Sequence, residues 1–189
     1  MARLIYIINT SVDGYIEDAT GAIDWASPDE VHKVITDLLR PIKTYLYGRR
    51  VYETMAAYWD SPVIETYPPE HRDFARVWQN AEKIVFSRTV SRPTARKTRV
   101  EREFDPKAVQ ELKRGSPHDV AIAGAELAGV ALRADLLDEC HLFMHPVIVG
   151  GGKALLRTDS RRKLELLEAR RLNNGVTHLH YRIKSSEAL

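Results

Sequence analysis

The stretch Thr44-Tyr-Leu-Tyr-Gly-Arg-Arg-Val-Tyr-Glu-Thr-Met55 has the pattern of a short strand that stops at Gly48 and is followed at once by a helix. A glycine at such a junction lets the backbone approach a ligand closely. The start of the helix adds unpaired N–H groups and a positive dipole end. Arg49 and Arg50 contribute two cations at the same place. The junction therefore suits a phosphate or pyrophosphate, although strand–glycine–helix junctions are also ordinary α/β architecture.

A second junction of the same kind, Asp119-Val-Ala-Ile-Ala-Gly-Ala-Glu-Leu127, strengthens the interpretation as an anion site. Strands and helices alternate over about three quarters of the chain, which predicts a mostly parallel sheet covered by helices on both faces. Asn173-Asn-Gly175 predicts an antiparallel hairpin near the end of the chain. Ligands of such sheets bind beyond the carboxyl ends of the strands, so one cleft collects both junctions. The strands expected are Leu4–Asn9, 44–47, Lys83–Ser87, Asp119–Ala123, His141–Val149 and the hairpin strands Leu164–Leu172 and Val176–Ile183; the helices expected are Glu30–Leu39, 49–58, Glu70–Trp78, Pro106–Lys113 and Ala125–Ala134.

The composition is that of a globular protein, with 44% hydrophobic and 29% charged residues among 189. This length predicts a single domain, residues 1–189. The formal net charge of +2 is too small to indicate a nucleic-acid partner. The single cysteine, Cys140, excludes an internal disulfide, and we interpret it as a structural thiol. No apolar run has the length of a membrane span, so we expect a cytoplasmic protein without a membrane partner.

Several further motifs occur in a characteristic order from the first strand to the last glycine triplet. They are Thr10-Ser-Val-Asp-Gly-Tyr-Ile16, Ile23-Asp-Trp25, Tyr47-Gly-Arg-Arg-Val-Tyr-Glu-Thr54, Val85-Phe-Ser-Arg88, Ile122-Ala-Gly-Ala-Glu-Leu127, Leu137-Asp-Glu139 and Pro146-Val-Ile-Val-Gly-Gly-Gly152. Together they resemble the dihydrofolate reductase-like superfamily. The resemblance is greater to the C-terminal reductase domain of riboflavin-biosynthesis deaminase/reductases and its stand-alone relatives. It implies an α/β, three-layer fold of the dihydrofolate reductase type.

The resemblance also implies NADPH as the cofactor. Three groups of residues would hold it: Gly48, Arg49 and Arg50 at one helix N-terminus, Gly124, Ala125 and Glu126 at the other, and Ser87 and Arg88 on the adenosine 2′-phosphate. A hydroxyl and a guanidinium suit a dianion chemically, which favours NADPH over NADH. Two positions depart from the family pattern: Val51 replaces a threonine, and Ala123 replaces the first of two glycines.

Hydride transfer to a C=N or C=O bond requires a proton, so an acid or a water is expected near the acceptor. Glu30 lies closest to the family's substrate carboxylate, with Asp29 as the competitor. The alternative is a helix cap, in which Ser27, Pro28 and Glu30 occupy the N-cap, N1 and N3 positions. Asp13, in the loop that would fold over the nicotinamide, is a further candidate, but Asp-Gly is also a plain turn. Asp24 is the last of these alternatives.

Trp25, Tyr52, Gly151 and Lys153 are the candidate substrate-binding residues. Aromatic side chains at helical spacing are more often part of a core, and the Gly150–Gly152 triplet is equally consistent with a flexible turn. His141, His145, His178 and His180 are potential metal ligands, and His178 and His180 share one face of a strand. Because no aspartate or cysteine completes a ligand set around the histidines, we assign no metal.

The sequence thus predicts an NADPH-dependent reductase that transfers a hydride to a small pterin-like or aminopyrimidine substrate. One alternative is a reductase of a ribosylamino-pyrimidine phosphate, for which Lys153 and Arg157 are candidate phosphate ligands. Another is a protein that binds NADPH without turnover. The hairpin offers strand edges that a second copy could cover, which predicts a homodimer.

Overall fold

The computed structural model describes residues 1–26 and 29–185, and their backbone is organised around one eight-stranded sheet. The sheet strands are β1 (Leu4–Ser11), β3 (Thr44–Gly48), β4 (Glu82–Phe86), β5 (Thr98–Glu101), β6 (Val120–Ala123), β7 (Glu139–His145), β9 (Leu164–Arg171) and β10 (Thr177–Ile183), while β2 (Tyr15–Glu17) and β8 (Lys153–Ala154) form a separate pair. The helices are α1 (Asp29–Leu39), α2 (Arg49–Trp59), α3 (Pro69–Asn80), α4 (Pro106–Gly115) and α5 (Ala125–Arg133).

The strand order is β5-β4-β3-β6-β1-β7-β10-β9. The first six strands are parallel, and β10 runs antiparallel to both β7 and β9. The predicted mixed sheet with a C-terminal antiparallel hairpin is therefore confirmed. Because the parallel strands are buried on both faces, their sequences are nearly continuous apolar runs.

Helices cover the sheet on both faces. On one face, α2 and α3 pack Tyr52, Trp59 and Trp78 against Tyr45 and Val85. The opposite face packs against α4 and α5. The buried side chains there include Leu4, Tyr6, Leu46, Ile122, Val109, Ala128 and Leu132. The helix α1 contacts β7 and the hairpin through Val31, Phe143, Leu172 and Val176. The result is the three-layer arrangement that alternating strands and helices require.

Two local expectations are corrected by the structure. The strand expected over 141–149 starts at Glu139 and ends at His145, because Pro146 has no N–H for the ladder. The segment Trp59–Pro69, whose three prolines predict a loop, contains a 3₁₀ helix, Pro62–Thr66, whose first turn is capped by Ser61. The structure also adds the pair β2–β8, which was not expected from the sequence.

Cys140 is buried, and desolvation raises the pKa of its thiol to about 12. A thiol that stays protonated is unreactive, which agrees with a structural role. Of the helices that the structure describes, none is both long and apolar enough to cross a membrane.

Candidate functional site

The carboxyl ends of four adjacent parallel strands bring the two glycine junctions to one edge of the sheet. Phe86 of β4 pairs with Gly48 of β3, and Tyr47 pairs with Ala123 of β6. This register agrees with the expectation that the two glycine junctions lie at one edge of the sheet. The 87–90 corner, Gly48, Gly124 and the loop after β1 follow one another along the edge.

The N-termini of α2 and α5 lie beside each other, and neither is capped by a side chain. Their N-cap residues are Gly48 and Gly124. The start of α4 differs, because the Asp105 carboxylate there accepts a hydrogen bond from Lys107 N at 2.9 Å. Without a capping side chain, the first N–H groups of α2 and α5 are available to an anion.

Backbone geometry explains the glycine at the second junction. Gly124 has φ of 101°, which L-residues with a side chain rarely adopt, and a Cβ there would lie 3.3 Å from Cγ2 of Val51. At Gly48 a Cβ would meet no atom of the described residues within 4 Å, so these residues leave open space beside the start of α2. Val51, which departs from the family pattern, thus adjoins Gly124, the residue after the second departure, Ala123.

The corner after β4 brings Ser87, Thr89 and Arg49 together. Ser87 Oγ accepts hydrogen bonds from the N–H groups of Thr89 at 3.2 Å and Val90 at 3.1 Å. Arg49 Nη1 donates to Thr89 Oγ1 at 2.9 Å, which ties the corner to the start of α2. Thr89 was not among the predicted residues, although a hydroxyl two positions after Ser87 is a visible signal.

Two cations at this edge are largely solvent-exposed. The Arg88 side chain is 79% exposed and pairs with Glu103 at 3.2 Å. Arg49 pairs with Glu53 at 2.8 Å, one helical turn along α2. Exposed pairs of this kind contribute little to stability, so both guanidinium groups can exchange partners for a bound phosphate. Arg50 is exposed as well.

At the start of α5, the predicted residues have different environments. Ala125 is fully buried, and its carbonyl oxygen accepts a hydrogen bond from Arg157 N at 3.4 Å. Glu126 is exposed and pairs with the Arg157 guanidinium at 3.5 Å. The segment around Arg157 packs tightly on the helix, since a Cβ at Gly129 would lie 1.9 Å from the Arg157 carbonyl oxygen.

Asp13 connects the loop after β1 to the loop after β7. Its carboxylate accepts hydrogen bonds from Gly150 N at 2.8 Å and Val149 N at 3.2 Å. A hydrogen bond from the Ser11 side chain, together with these backbone donors, lowers the pKa of Asp13 below its usual value. Asp13 thus holds two loops together, and its catalytic role stays a prediction.

Glu30 has a partner that neither sequence interpretation included. Its carboxylate accepts a hydrogen bond from Asn173 N at 2.9 Å, and so holds the hairpin turn against α1. Ser27 and Pro28 of the proposed cap lie outside the described residues. Asp29 begins α1, and its side chain is likewise outside what the structure describes.

Trp25 lies at the end of β7, where its ring meets that of His145 edge-on at 5.7 Å. His145 is buried, shares a hydrogen bond of 3.0 Å with Asn9 Oδ1, and has a pKa lowered by burial. Asn9 was not predicted, and His145 was considered only as a potential metal ligand. Their positions at the carboxyl ends of β1 and β7 are the signal that could have found them. Asp24 is exposed just before Trp25.

The other substrate-side candidates divide into two groups. Gly151 lies in the loop before β8, and Lys153 lies in β8. In the strand register Lys153 is opposite Glu17 of β2. A Cβ at Gly151 would meet nothing within 4 Å, so the space beside this glycine is open. Tyr52 is 1% exposed, and its hydroxyl accepts hydrogen bonds from Thr94 N and Ala95 N, each at 2.9 Å. We therefore correct the expectation for Tyr52, because a buried ring with an occupied hydroxyl has no surface for a substrate.

A family model described as the RibD C-terminal domain matches residues 2–178. The chain belongs to this family. A further relative is the Bacillus subtilis (strain 168) protein YyaP, which is 29% identical over 191 residues and covers 95% of this chain and 94% of YyaP. The family membership confirms the resemblance that the order of motifs indicated.

Two solved structures have the same fold as this chain. A candidate riboflavin biosynthesis protein from Shewanella sp. PV-4 superimposes with a TM-score of 0.75, at 23% identity over 97% of this chain and 99% of that one. The dihydrofolate reductase of Enterococcus faecalis, complexed with NADP(H), gives a TM-score of 0.64 at 15% identity, with 97% of each chain covered. These likenesses confirm the dihydrofolate reductase-like architecture.

Proposed function

We propose that this protein is an NADPH-dependent reductase that transfers a hydride to a small pterin-like or aminopyrimidine substrate. The observation that carries the proposal is the pair of uncapped helix N-termini, α2 and α5, side by side at one sheet edge. Membership of the RibD C-terminal domain family supports oxidoreductase chemistry at this edge. A fold shared with a reductase that binds NADP(H) is consistent with it.

The residues at this edge fit a dinucleotide phosphate. Gly48 leaves open space above α2, and the uncapped N–H groups of both helices suit the pyrophosphate. Arg49 and Arg50 supply charge beside it, with Gly124, Ala125 and Glu126 on the other side. Ser87 and Arg88, together with Thr89, are the proposed contacts of the 2′-phosphate. The bound cofactor would supply the hydride.

The chain's own contribution to the chemistry is chiefly placement. The loops joined by Asp13 would hold the acceptor against the nicotinamide, next to Trp25 and Lys153. A carboxylate at the start of α1 would orient the substrate or direct its proton. Because Glu30 already accepts the Asn173 N–H, Asp29 is the stronger candidate of the two.

Membership of the RibD C-terminal domain family favours a second candidate, reduction of a ribosylamino-pyrimidine phosphate. This substrate requires a cation for its phosphate. Lys153 is the better candidate, since Arg157 is paired with Glu126. Lys153→Met would then raise KM for the phosphorylated substrate and leave turnover of unphosphorylated substrates unchanged.

The decisive first experiment is a titration of the protein with NADPH and separately with NADH, followed by nicotinamide fluorescence. We expect tight binding of NADPH, weaker binding of NADH, and a loss of about tenfold or more for NADPH in Arg88→Ala, equivalent to about 1.4 kcal/mol. Arg99→Ala is the matched control, because Arg99 is also an exposed, ion-paired arginine but lies on the edge strand β5. Equal affinity for both nucleotides in every variant would overturn the proposed phosphate corner.

Turnover is tested next, by the loss of NADPH absorbance with dihydrofolate and aminopyrimidine substrates. Asp29→Asn is expected to lower kcat by about 10²–10⁴, while Glu30→Gln keeps an acceptor for Asn173 N and retains activity. NADPH binding without turnover of any such substrate in the unmodified protein would favour the non-catalytic alternative instead.

We further propose that the protein is a homodimer formed through β9. This strand is the outer edge of the sheet and exposes Leu164 and Leu166, which are 48% and 52% exposed. A long edge strand with exposed apolar side chains is the type of surface that a second chain covers. The proposed cytoplasmic location stays a prediction.

A further inference from the structure

A cluster of three potential metal ligands lies on the neighbouring strands β7 and β10. Each of Glu139, His141 and His180 offers one ligand atom, and these atoms lie within 4.8 Å of one another. The antiparallel register places His180 opposite His141, while Glu139 is two residues along β7 on the same face. The sequence predicted no metal because no aspartate or cysteine completes a ligand set around the histidines. The third ligand is instead a glutamate, Glu139, on the same strand as His141.

The His180 side chain contacts both other members of the cluster directly. His180 Nε2 lies 3.0 Å from Glu139 Oε2, and the rings of His141 and His180 stack with centroids 3.9 Å apart. Glu139 and His141 are 2% and 6% exposed, whereas the His180 side chain is 18% exposed. This partial exposure leaves a path by which a small cation and a water ligand can reach the group.

A fourth residue, His178, forms a hydrogen bond with His141. His141 Nδ1 and His178 Nε2 are 3.0 Å apart, and His178 is 3% exposed. If His141 donates Nδ1–H to His178, its Nε2 carries a lone pair for a metal. Ligating histidines usually donate their other ring N–H in this way, because the bond fixes the tautomer and the ring orientation.

The charge of Glu139 is balanced in this structure by Arg3. Arg3 Nη1 contacts both carboxylate oxygens at 3.0–3.1 Å, while three further hydrogen bonds fix Arg3 to Asp119. A cation bound to Oε2 of Glu139 would leave Oε1 as the acceptor for Arg3. Arg3 would then hold the carboxylate in place without binding the metal itself. Because the two imidazoles are stacked, one of them must turn about its Cβ–Cγ bond to converge on the ion.

We propose that Glu139, His141 and His180 bind one divalent transition-metal ion of the kind that prefers imidazole and carboxylate ligands. Zinc is the appropriate probe, since two histidines and one carboxylate with an open position form a known zinc ligand set. Glu139 begins β7, so the site lies towards the amino ends of the parallel strands, opposite the glycine junctions. The ion would therefore lie away from the cofactor edge, and would act by joining the C-terminal hairpin to the central sheet.

The test uses the full chain after removal of metal with a chelator. Calorimetric titration with Zn²⁺ should give one saturable site per chain, and thermal melting should shift upward as free Zn²⁺ rises above the dissociation constant. Titration with Co²⁺ should produce visible absorption bands of a nitrogen- and oxygen-ligated ion. His180→Ala should abolish all three signals, and His178→Phe should weaken zinc binding by about 10–100-fold.

His118→Ala is the matched control, because His118 is an exposed histidine outside the cluster. It should bind zinc like the unmodified protein. His141→Gln provides a second, nearly isosteric variant in case His180→Ala perturbs the fold. The absence of saturable binding, or undiminished binding in both His180→Ala and His141→Gln, would overturn the site. A loss of NADPH affinity on metal removal would overturn its structural assignment, whereas equal NADPH affinity with and without zinc supports it.

Discussion

At the scale of single residues, the side chain of Val51 and the backbone of Gly124 determine how closely the two helix starts approach. A Cβ at Gly124 would lie 3.3 Å from Val51, and the φ of 101° at Gly124 is strained for any other residue. The sequence identified Val51 as a departure from the family pattern, together with Ala123, which precedes Gly124. It could not show that Val51 and Gly124 adjoin, because they are separated by 73 positions and meet only through the pairing of β3 with β6.

Gly124→Ala is therefore expected to do two things. The strained backbone should lower the free energy of unfolding by about 1–3 kcal/mol. Crowding against Val51 should also shift the start of α5 and weaken NADPH binding by about tenfold, or about 1.4 kcal/mol. Chemical denaturation and nicotinamide fluorescence measure the two effects. Gly21→Ala is the control, because Gly21 also has a positive φ, of 85°, but a Cβ there meets nothing within 4 Å. Equal NADPH affinity in the two variants would contradict the role of Gly124 at the cofactor site.

At the scale of elements, strong periodicity made the long helices and buried strands predictable to within a few residues. The pair β2–β8 was missed because it depends on a distant approach: a Cβ at Gly152 would lie 2.1 Å from the Glu17 carbonyl oxygen. No pattern within either segment encodes that contact. The sequence also did not show how α3 ends, because the side chain that binds its last carbonyl groups belongs to the next strand, β4. Lys83 Nζ donates to the carbonyl oxygens of Trp78 and Ala81, each at 3.0 Å.

Lys83→Met tests this cap. The variant leaves buried carbonyl groups without a donor, so we expect the free energy of unfolding to fall by about 1–3 kcal/mol at pH 7. Burial lowers the pKa of Lys83 from 10.5 to about 8 in the folded protein. Between those values the unfolded chain binds more protons, so the contribution of Lys83 to stability rises with pH. The difference between the unmodified protein and Lys83→Met should therefore be larger at pH 10 than at pH 7. A difference that shrinks with pH would show that the amine is not buried in this way.

At the scale of the whole molecule, the fold was predictable because the order of motifs reflects the order of strand–helix units. The site was predictable only in outline. Composition and spacing placed the glycine junctions at one edge, but they did not show that Tyr52 is buried or that Asp13 joins two loops. They also missed the Glu139–His141–His180 cluster, since its members meet across strands. Such partners become visible only when the antiparallel hairpin is placed beside β7.

The uncovered edge of the sheet gives the last prediction. Leu164 and Leu166 lie on one face of β9, two residues apart, and the 21.5 kDa chain offers no further strand to cover them within the described residues. Light scattering should therefore give about twice the chain mass, and Leu166→Glu should return it to the monomer value, because a dimer would bury the new charge. Val63→Glu is the control, since Val63 is 55% exposed on the 3₁₀ helix, away from the edge strand. A monomer in the unmodified protein, or a dimer that Leu166→Glu leaves intact, would contradict β9 as the interface. Either result would leave the cofactor edge unaffected, because β9 lies at the end of the sheet beyond β7 and β10.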